Sequence, residues 1–277
     1  MKIHLITAFF FIFNTINAQE YIAIDTLALK CYYTYHFQQD SMNRNSIKVE
    51  EMVLQIGKNT SKFTSVSRLF RDSLLFVYKD EPVEVASAKI LPMIMGSPSH
   101  SFCNYSIIKN HPKQGILFTT SYLNKTHLKV TEQQITNWML IPNRDTIISG
   151  YACRLATTIY GGRQYNAWYT YAIPISDGPY KFSGLPGLII SISDINNEHS
   201  FVLNQIQKMS NGQNIIYFKN EEIDVSPQDF VKAVNLKNTL LYNRVQQEDR
   251  IKMNNDESKA KALDRLKARN NYIEKYE

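Results

Sequence analysis

Two runs of alternating apolar and polar residues, Thr146–Tyr160 and Arg163–Ile173, meet at Gly161-Gly162. Paired glycines accept φ > 0 at both central positions of a two-residue turn, so this stretch predicts a β-hairpin. The same period of two places Leu27, Leu29, Cys31, Tyr33, Tyr35 and Phe37 on one strand face, opposite Lys30, Tyr32, Thr34 and His36. Further strand-like runs cover Ile47–Ile56, Ser61–Tyr78, Phe102–Ile108, Gly115–Tyr122, His127–Thr131, Thr136–Ile141, Leu188–Asp194 and Ser200–Ile206. Pro142-Asn143-Arg144-Asp145 and Asn196-Asn197 read as turns. Pro82, Pro92, Gly96 and Pro98 make 81–100 read as irregular. Successive strands on short turns predict a mainly β fold, an antiparallel meander that forms a curved sheet or half-barrel. With 17 Tyr and 14 Phe, the chain has the aromatic supply such a sheet needs.

The two ends differ from this pattern. Lys2, the apolar run Leu5–Phe13 and Asn17-Ala18 have the layout of a secretory signal over residues 1–18. A run of nine residues is too short to cross a bilayer, and no later stretch is long enough to span one. Beyond Pro227 there is neither Gly nor Pro. Ser226-Pro227 resembles an N-cap with proline at the first helical position, so C-terminal helices are expected. Asp229–Leu241 has enough apolar residues to pack, whereas Arg244–Glu277 is dense in charge and reads as a solvated helical tail. The expected organisation is therefore a signal at 1–18, a β-rich domain at 19–243 and a charged helical tail at 244–277.

Chemistry-bearing motifs are absent. The histidines never pair at metal-ligand spacing, and there is no HExxH, GxSxG, P-loop or GxGxxG, so neither a cofactor nor a metal is implied. The carboxylate pairs Glu50-Glu51, Glu81/Glu84 and Glu221-Glu222 read as solvated surface. Glu198-His199 reads as a surface turn rather than as a base with its orienting partner. Cys31, Cys103 and Cys153 contain no CxxC. One pair of them could be oxidised, by any of three pairings, but Cys31 and Cys153 sit on apolar faces, so burial is the favoured reading for those two. The net charge of +6 is dispersed, and no basic run is interleaved with aromatics, which argues against nucleic acid as a partner.

One segment is distinctive. It runs Gly150-Tyr151-Ala152-Cys153-Arg154-Leu155, then Gly162-Arg163-Gln164-Tyr165-Asn166-Ala167-Trp168-Tyr169, then Gly178-Pro179-Tyr180-Lys181-Phe182-Ser183 and Gly184-Leu185-Pro186-Gly187-Leu188-Ile189. Over about 45 residues, Gly150 to Asp194, it closely resembles the GLPGLI family of exported Bacteroidota proteins, named for a motif like Gly184–Ile189 here. That resemblance implies a β-rich fold and a periplasmic or cell-envelope location. The family has no established activity, so no catalytic residues carry over.

Physically, Pro186-Gly187 suits a type II turn, with φ > 0 expected at Gly187. Leu188, Ile190 and Ile192 share a core-facing strand side. Arg163, Trp168, Tyr180 and Lys181 are the candidate ligand- or partner-binding residues. Trp168 is expected to pack rather than stack on a ligand, and Arg163 to pair internally with Asp177 or Asp194. The function expected is a non-enzymatic envelope protein that holds a hydrophobic or peptidic ligand in a sheet concavity, or that assists the assembly of an outer-membrane complex with an envelope protein as its partner. The alternative is a hydrolase with a dispersed active site.

Overall fold

In the computed structural model, the described residues are 20–96, 101–123, 126–210, 212–236, 263–264 and 269–275. The expected signal at 1–18 lies outside them. Among the described residues the strands and the first two helices run in the order β1 (Glu20–Thr26), β2 (Leu29–Gln38), β3 (Ile47–Ile56), β4 (Ser61–Ser65), α1 (Val66–Val77), α2 (Val83–Met95), β5 (Tyr105–Lys109), β6 (Ile116–Leu123) and β7 (Thr126–Gln133). They continue as β8 (Met139–Ile148), β9 (Tyr151–Tyr160), β10 (Arg163–Thr170), β11 (Leu188–Asp194), β12 (His199–Lys208), β13 (Asn214–Lys219) and β14 (Glu222–Asp224). A helical segment over 227–236 follows, and Ser226 caps it by accepting from the Asp229 amide at 3.0 Å.

Twelve strands make one large open sheet, in the order β14-β7-β6-β5-β4-β3-β2-β12-β11-β10-β9-β8. Every neighbouring pair is antiparallel except β14 with β7. The sheet is two meanders, β2–β7 and β8–β12, joined where β12 pairs with β2. The curved antiparallel meander expected from the sequence is thus present.

The sheet curves around the 174–187 loop. Lys109 on β5 reaches this loop from one meander, while Tyr160 on β9 bonds Glu132 on β7 across the concavity. Adjacent residues divide the two faces: Ile107 joins the main core, and Ile108 joins a smaller cluster with Phe118 and Tyr217. On the outer face lie α1 and the β1–β13 ribbon. Two buried lysines tie the layers together. Lys109 points inward to the loop; Lys62 points outward to the Ile216 carbonyl (2.9 Å) and Asp72 of α1 (3.3 Å).

Several local expectations are corrected. The run Ser61–Tyr78 is strand only to Ser65, whose Oγ accepts from the Arg68 amide at 3.2 Å and starts α1. The stretch 81–100 contains α2, because Ala, Leu, Met, Lys and Glu outweigh Pro92, which falls in its last turn. Thr136–Trp138 is not strand. The predicted turn Pro142–Asp145 lies inside β8, as a register slip with Asn143 at φ 58°. The run Thr146–Tyr160 is broken by a turn at Ser149-Gly150, both at positive φ. The Gly161-Gly162 turn is as expected, with φ of 53° and 73°.

Residues 269–275 depart from the solvated helical tail: they run without helix across the β9–β10 end of the sheet, with Asn271 and Glu274 buried. All three cysteines are free and buried. Burial, with a smaller contribution from Asp177, pushes the Cys31 thiol up to about 12.

Candidate binding site

The distinctive segment folds as a plug on the concave face. Strand β10 leads into it and β11 leaves it, while the chain between them, 171–187, carries only an isolated bridge, Asp177 to Ser183. Lys109 Nζ holds the plug by donating to Asp177 Oδ1 (2.7 Å) and to the carbonyls of Gly178 (2.7 Å) and Phe182 (3.1 Å). Burial pulls the Lys109 pKa down and the Asp177 carboxylate opposes that shift, so the pair depends on this contact. Phe182 is fully buried, edge-on to Tyr165 at 4.7 Å and to Tyr160 at 5.9 Å. Tyr33 Oη donates to the Ile189 carbonyl at 2.7 Å.

Glycine is needed in the motif for a different reason at Gly187 than the turn chemistry predicts. Gly187 does not have positive φ; the left-handed residue is Gly184, at 94°. A Cβ on Gly187 would stand 2.0 Å from the Thr170 carbonyl oxygen, so the requirement is close backbone approach. The expected type II turn is replaced by a tighter one, in which the Gly187 amide donates to the Leu185 carbonyl at 2.8 Å. Leu185, Leu188, Ile189, Ile190 and Ile192 are all buried core, so both sides of β11 are covered.

The four candidate residues separate into two places and a bystander. Arg163 is buried and internally paired, donating to Asp194 (2.8 Å) and Glu198 (2.6 Å), to Asn271 Oδ1 (2.5 Å) and to the Tyr272 carbonyl. Asp194 is one of its two expected partners; Asp177, the other, is held by Lys109. Trp168 is half-buried, packs on the core and does not border the cavity described below. Tyr180 and Lys181 stand together over the concavity. Lys181 Nζ meets Glu274 at 2.7 Å and also Glu132, and Tyr180 Oη donates to Glu274. Tyr180 is raised well above the ordinary tyrosine range by burial and then by the Glu274 charge, so it remains a hydrogen-bond donor.

Above Tyr180 and Lys181 lies a cavity of about 480 Å³. Its walls are aromatic: Tyr35, Phe37, Phe102, Tyr105, Tyr122 and Tyr180. Phe230 and Val234 of the 227–236 helix and the 271–274 stretch complete it. Tyr105 and Thr119 border it: Thr119 Oγ1 is buried without a hydrogen-bond partner among the described residues, and Tyr105 Oη lies beside the weakly bonding Cys103 thiol. Glu50 fixes one rim by accepting from Ser101 Oγ (2.5 Å) and from the Phe102 (2.8 Å) and Cys103 (3.0 Å) amides. His199, expected on a surface turn, is buried on the cavity wall with Nδ1 2.7 Å from Tyr35 Oη. Burial first, and then the Arg163 and Lys275 charges, pull its pKa down to about 3. No cluster of three or more potential metal ligands occurs among the described residues.

Of the residues that the sequence marks as candidates, Tyr180 and Lys181 border the cavity; Tyr105, Thr119, His199 and Glu274 border it too but were not marked. Of these, only Glu198-His199 carried a local signal, and it read as a turn.

Residues 99–191 match the model of a family described as "Protein of unknown function (Porph_ging)". The match takes in β5–β10, the plug and the start of β11. No curated protein matches the chain. Among solved structures, PNGF-II in its P21 space group is similar, with a TM-score of 0.51 and 10% identity over 76% of this chain and 34% of that one. PNGF-II in the C2 space group gives a TM-score of 0.48 at 12% identity, over 76% and 33%. The chain thus spans about a third of the PNGF-II length, and at such identity the likeness is one of fold. No described helix is long and apolar enough to cross a membrane.

Proposed function

We propose that this chain is a non-enzymatic envelope protein of the GLPGLI kind, which holds an apolar or peptidic ligand in the concavity of its sheet. The observation that carries this reading is the aromatic cavity with Thr119 Oγ1 buried on its wall without a partner among the described residues, and with Tyr105 Oη beside only the weakly bonding Cys103 thiol. Apolar walls supply affinity, and a few convergent polar groups fix orientation. Buried hydroxyls without partners are costly, so a ligand that satisfies them gains specificity. Placement in the envelope rests on the signal layout of residues 1–18 together with the Gly150–Asp194 resemblance.

A hydrolytic role draws on one observation, His199 on the cavity wall. A general base works best with a pKa near the working pH, and at about 3 this ring is a weak one. The nearby Cys103 thiol is pushed well above its ordinary value by burial and then by Glu50, so it is not an activated nucleophile. These features favour binding over catalysis.

Titration with an environment-sensitive apolar dye tests the reading. One dye per chain is expected, displaced by an apolar component of the native envelope. Ser121→Trp, which fills the cavity from β6 and gives up the Ser121 bond to the Asn104 carbonyl, is expected to abolish dye binding while unfolding stays cooperative. Undiminished binding in that variant would remove the cavity as the site.

A further inference from the structure

The seven residues 269–275 are joined to the rest of the molecule in an unusual way. They form neither helix nor strand, yet they are gripped along their backbone. Arg163 Nε and Nη2 donate to the Tyr272 carbonyl (3.2 and 2.8 Å), Tyr165 Oη donates to the Ile273 carbonyl (3.0 Å), and the Lys275 amide donates to the Gly161 carbonyl (2.7 Å). Two side chains enter the body. Asn271 accepts from Arg163 Nη2 at 2.5 Å and donates to the Gln38 carbonyl at 3.0 Å. Three residues on, Glu274 accepts from Lys181 and Tyr180.

Two further observations describe the seat itself. The turn surface is pared down where the segment lies: a Cβ on Gly161 would stand 2.8 Å from Glu274 Cγ, and one on Gly162 would stand 2.3 Å from the Lys275 carbonyl oxygen. The buried cations do not depend on the segment either. Arg163 keeps Asp194 and Glu198, and Lys181 keeps Glu132, whatever happens at 269–275. Removing one partner of a buried ion pair normally leaves a stranded charge, but each charge here has a second partner in the body.

We propose that this groove, between the β9–β10 turn, β10 and the plug, is a recognition site for an extended peptide, reading an asparagine and, three residues later, a glutamate. Residues 269–275 occupy it as a tethered ligand of the same chain. Backbone contacts supply sequence-tolerant grip, and the two side-chain pockets supply selectivity. A segment joined covalently to its own site rebinds without diffusing in from solution, so a free peptide competes against it at a disadvantage. The groove shares Tyr180 and Lys181 with the cavity, and the 271–274 stretch seated in it forms part of the cavity wall; the proposal does not rest on the cavity being filled, and peptide binding is measured without dye.

The test uses the full chain and a labelled heptapeptide with the sequence of Arg269–Lys275. Glu274→Gln weakens the tethered ligand and leaves Lys181 paired with Glu132. The heptapeptide is expected to bind this variant at least ten-fold more tightly than the unsubstituted chain. A peptide carrying Gln in place of its glutamate is expected to bind the same variant at least ten-fold more weakly. Hydrogen exchange on the unsubstituted chain gives a second reading, in which the Asn271–Lys275 amides exchange faster than those of β2 and β12. Equal or absent peptide binding to both chains overturns the proposal. So does exchange of the segment only together with the central strands, which would make it part of the cooperative core.

Discussion

Gly187 and Gly150 separate two reasons for glycine in one molecule. At Gly187 an added methyl meets the Thr170 carbonyl, whereas at Gly150 φ is 81° and nothing lies within 4 Å. Gly187→Ala is therefore expected to cost about 3 kcal/mol through a forced backbone shift, against about 1 kcal/mol for Gly150→Ala through conformation alone. Denaturant midpoints of the two variants check the ordering, which reverses if φ is what matters. His199 makes a second residue-scale prediction. Its folded pKa is about 3 against an ordinary 6.5, so below pH 6.5 the unfolded chain binds a proton that the folded chain refuses. Its contribution is fully present above pH 6.5 and is lost as pH falls from there towards 3, by up to about 5 kcal/mol. His199→Asn, which keeps a polar atom near Tyr35 Oη, is expected to flatten stability between pH 6.5 and 4. Midpoints measured across that range decide it.

Among the elements, strands were legible and helices less so. The alternation in Ile47–Ile56 and Leu188–Asp194 matches β3 and β11 to the residue, because period two survives even where both faces are covered. In Ser61–Tyr78 the pattern changes period at Ser65, and a strand reading carried across that residue hides α1. Prolines hid α2, although Pro92 sits where a helix is already ending. The extended segment 269–275 was illegible because its partners, Arg163, Tyr165 and Lys181, are about a hundred residues away. Deleting residues 269–277 is expected to cost on the order of 2–4 kcal/mol, from charged hydrogen bonds lost to Arg163 and Lys181, while unfolding stays cooperative. A loss below about 1 kcal/mol in denaturant titration would show those bonds to be worth no more than solvated surface contacts.

At the scale of the whole molecule, the site is a product of curvature. Tyr180 and Lys181 were marked by their motif, but Tyr105 and Thr119 come from β5 and β6, and His199 opens β12. No local pattern announces that these strands will face one another across a bent sheet. The strand order also has a consequence for how the chain assembles. It begins at the centre of the sheet with β2, builds outward to β7, and returns from the far edge to pair β12 with that first strand. The Tyr35–Phe201 stack, 4.1 Å between ring centroids, therefore joins residues made well over a hundred positions apart. Loop-closure entropy makes this seam a late event. Until β12 is available, β2 is a bare edge displaying Tyr33 and Tyr35, open to pairing with any other extended chain. A nascent chain of this topology has its greatest need of a holding chaperone while its first half is complete and its last strands are still to come.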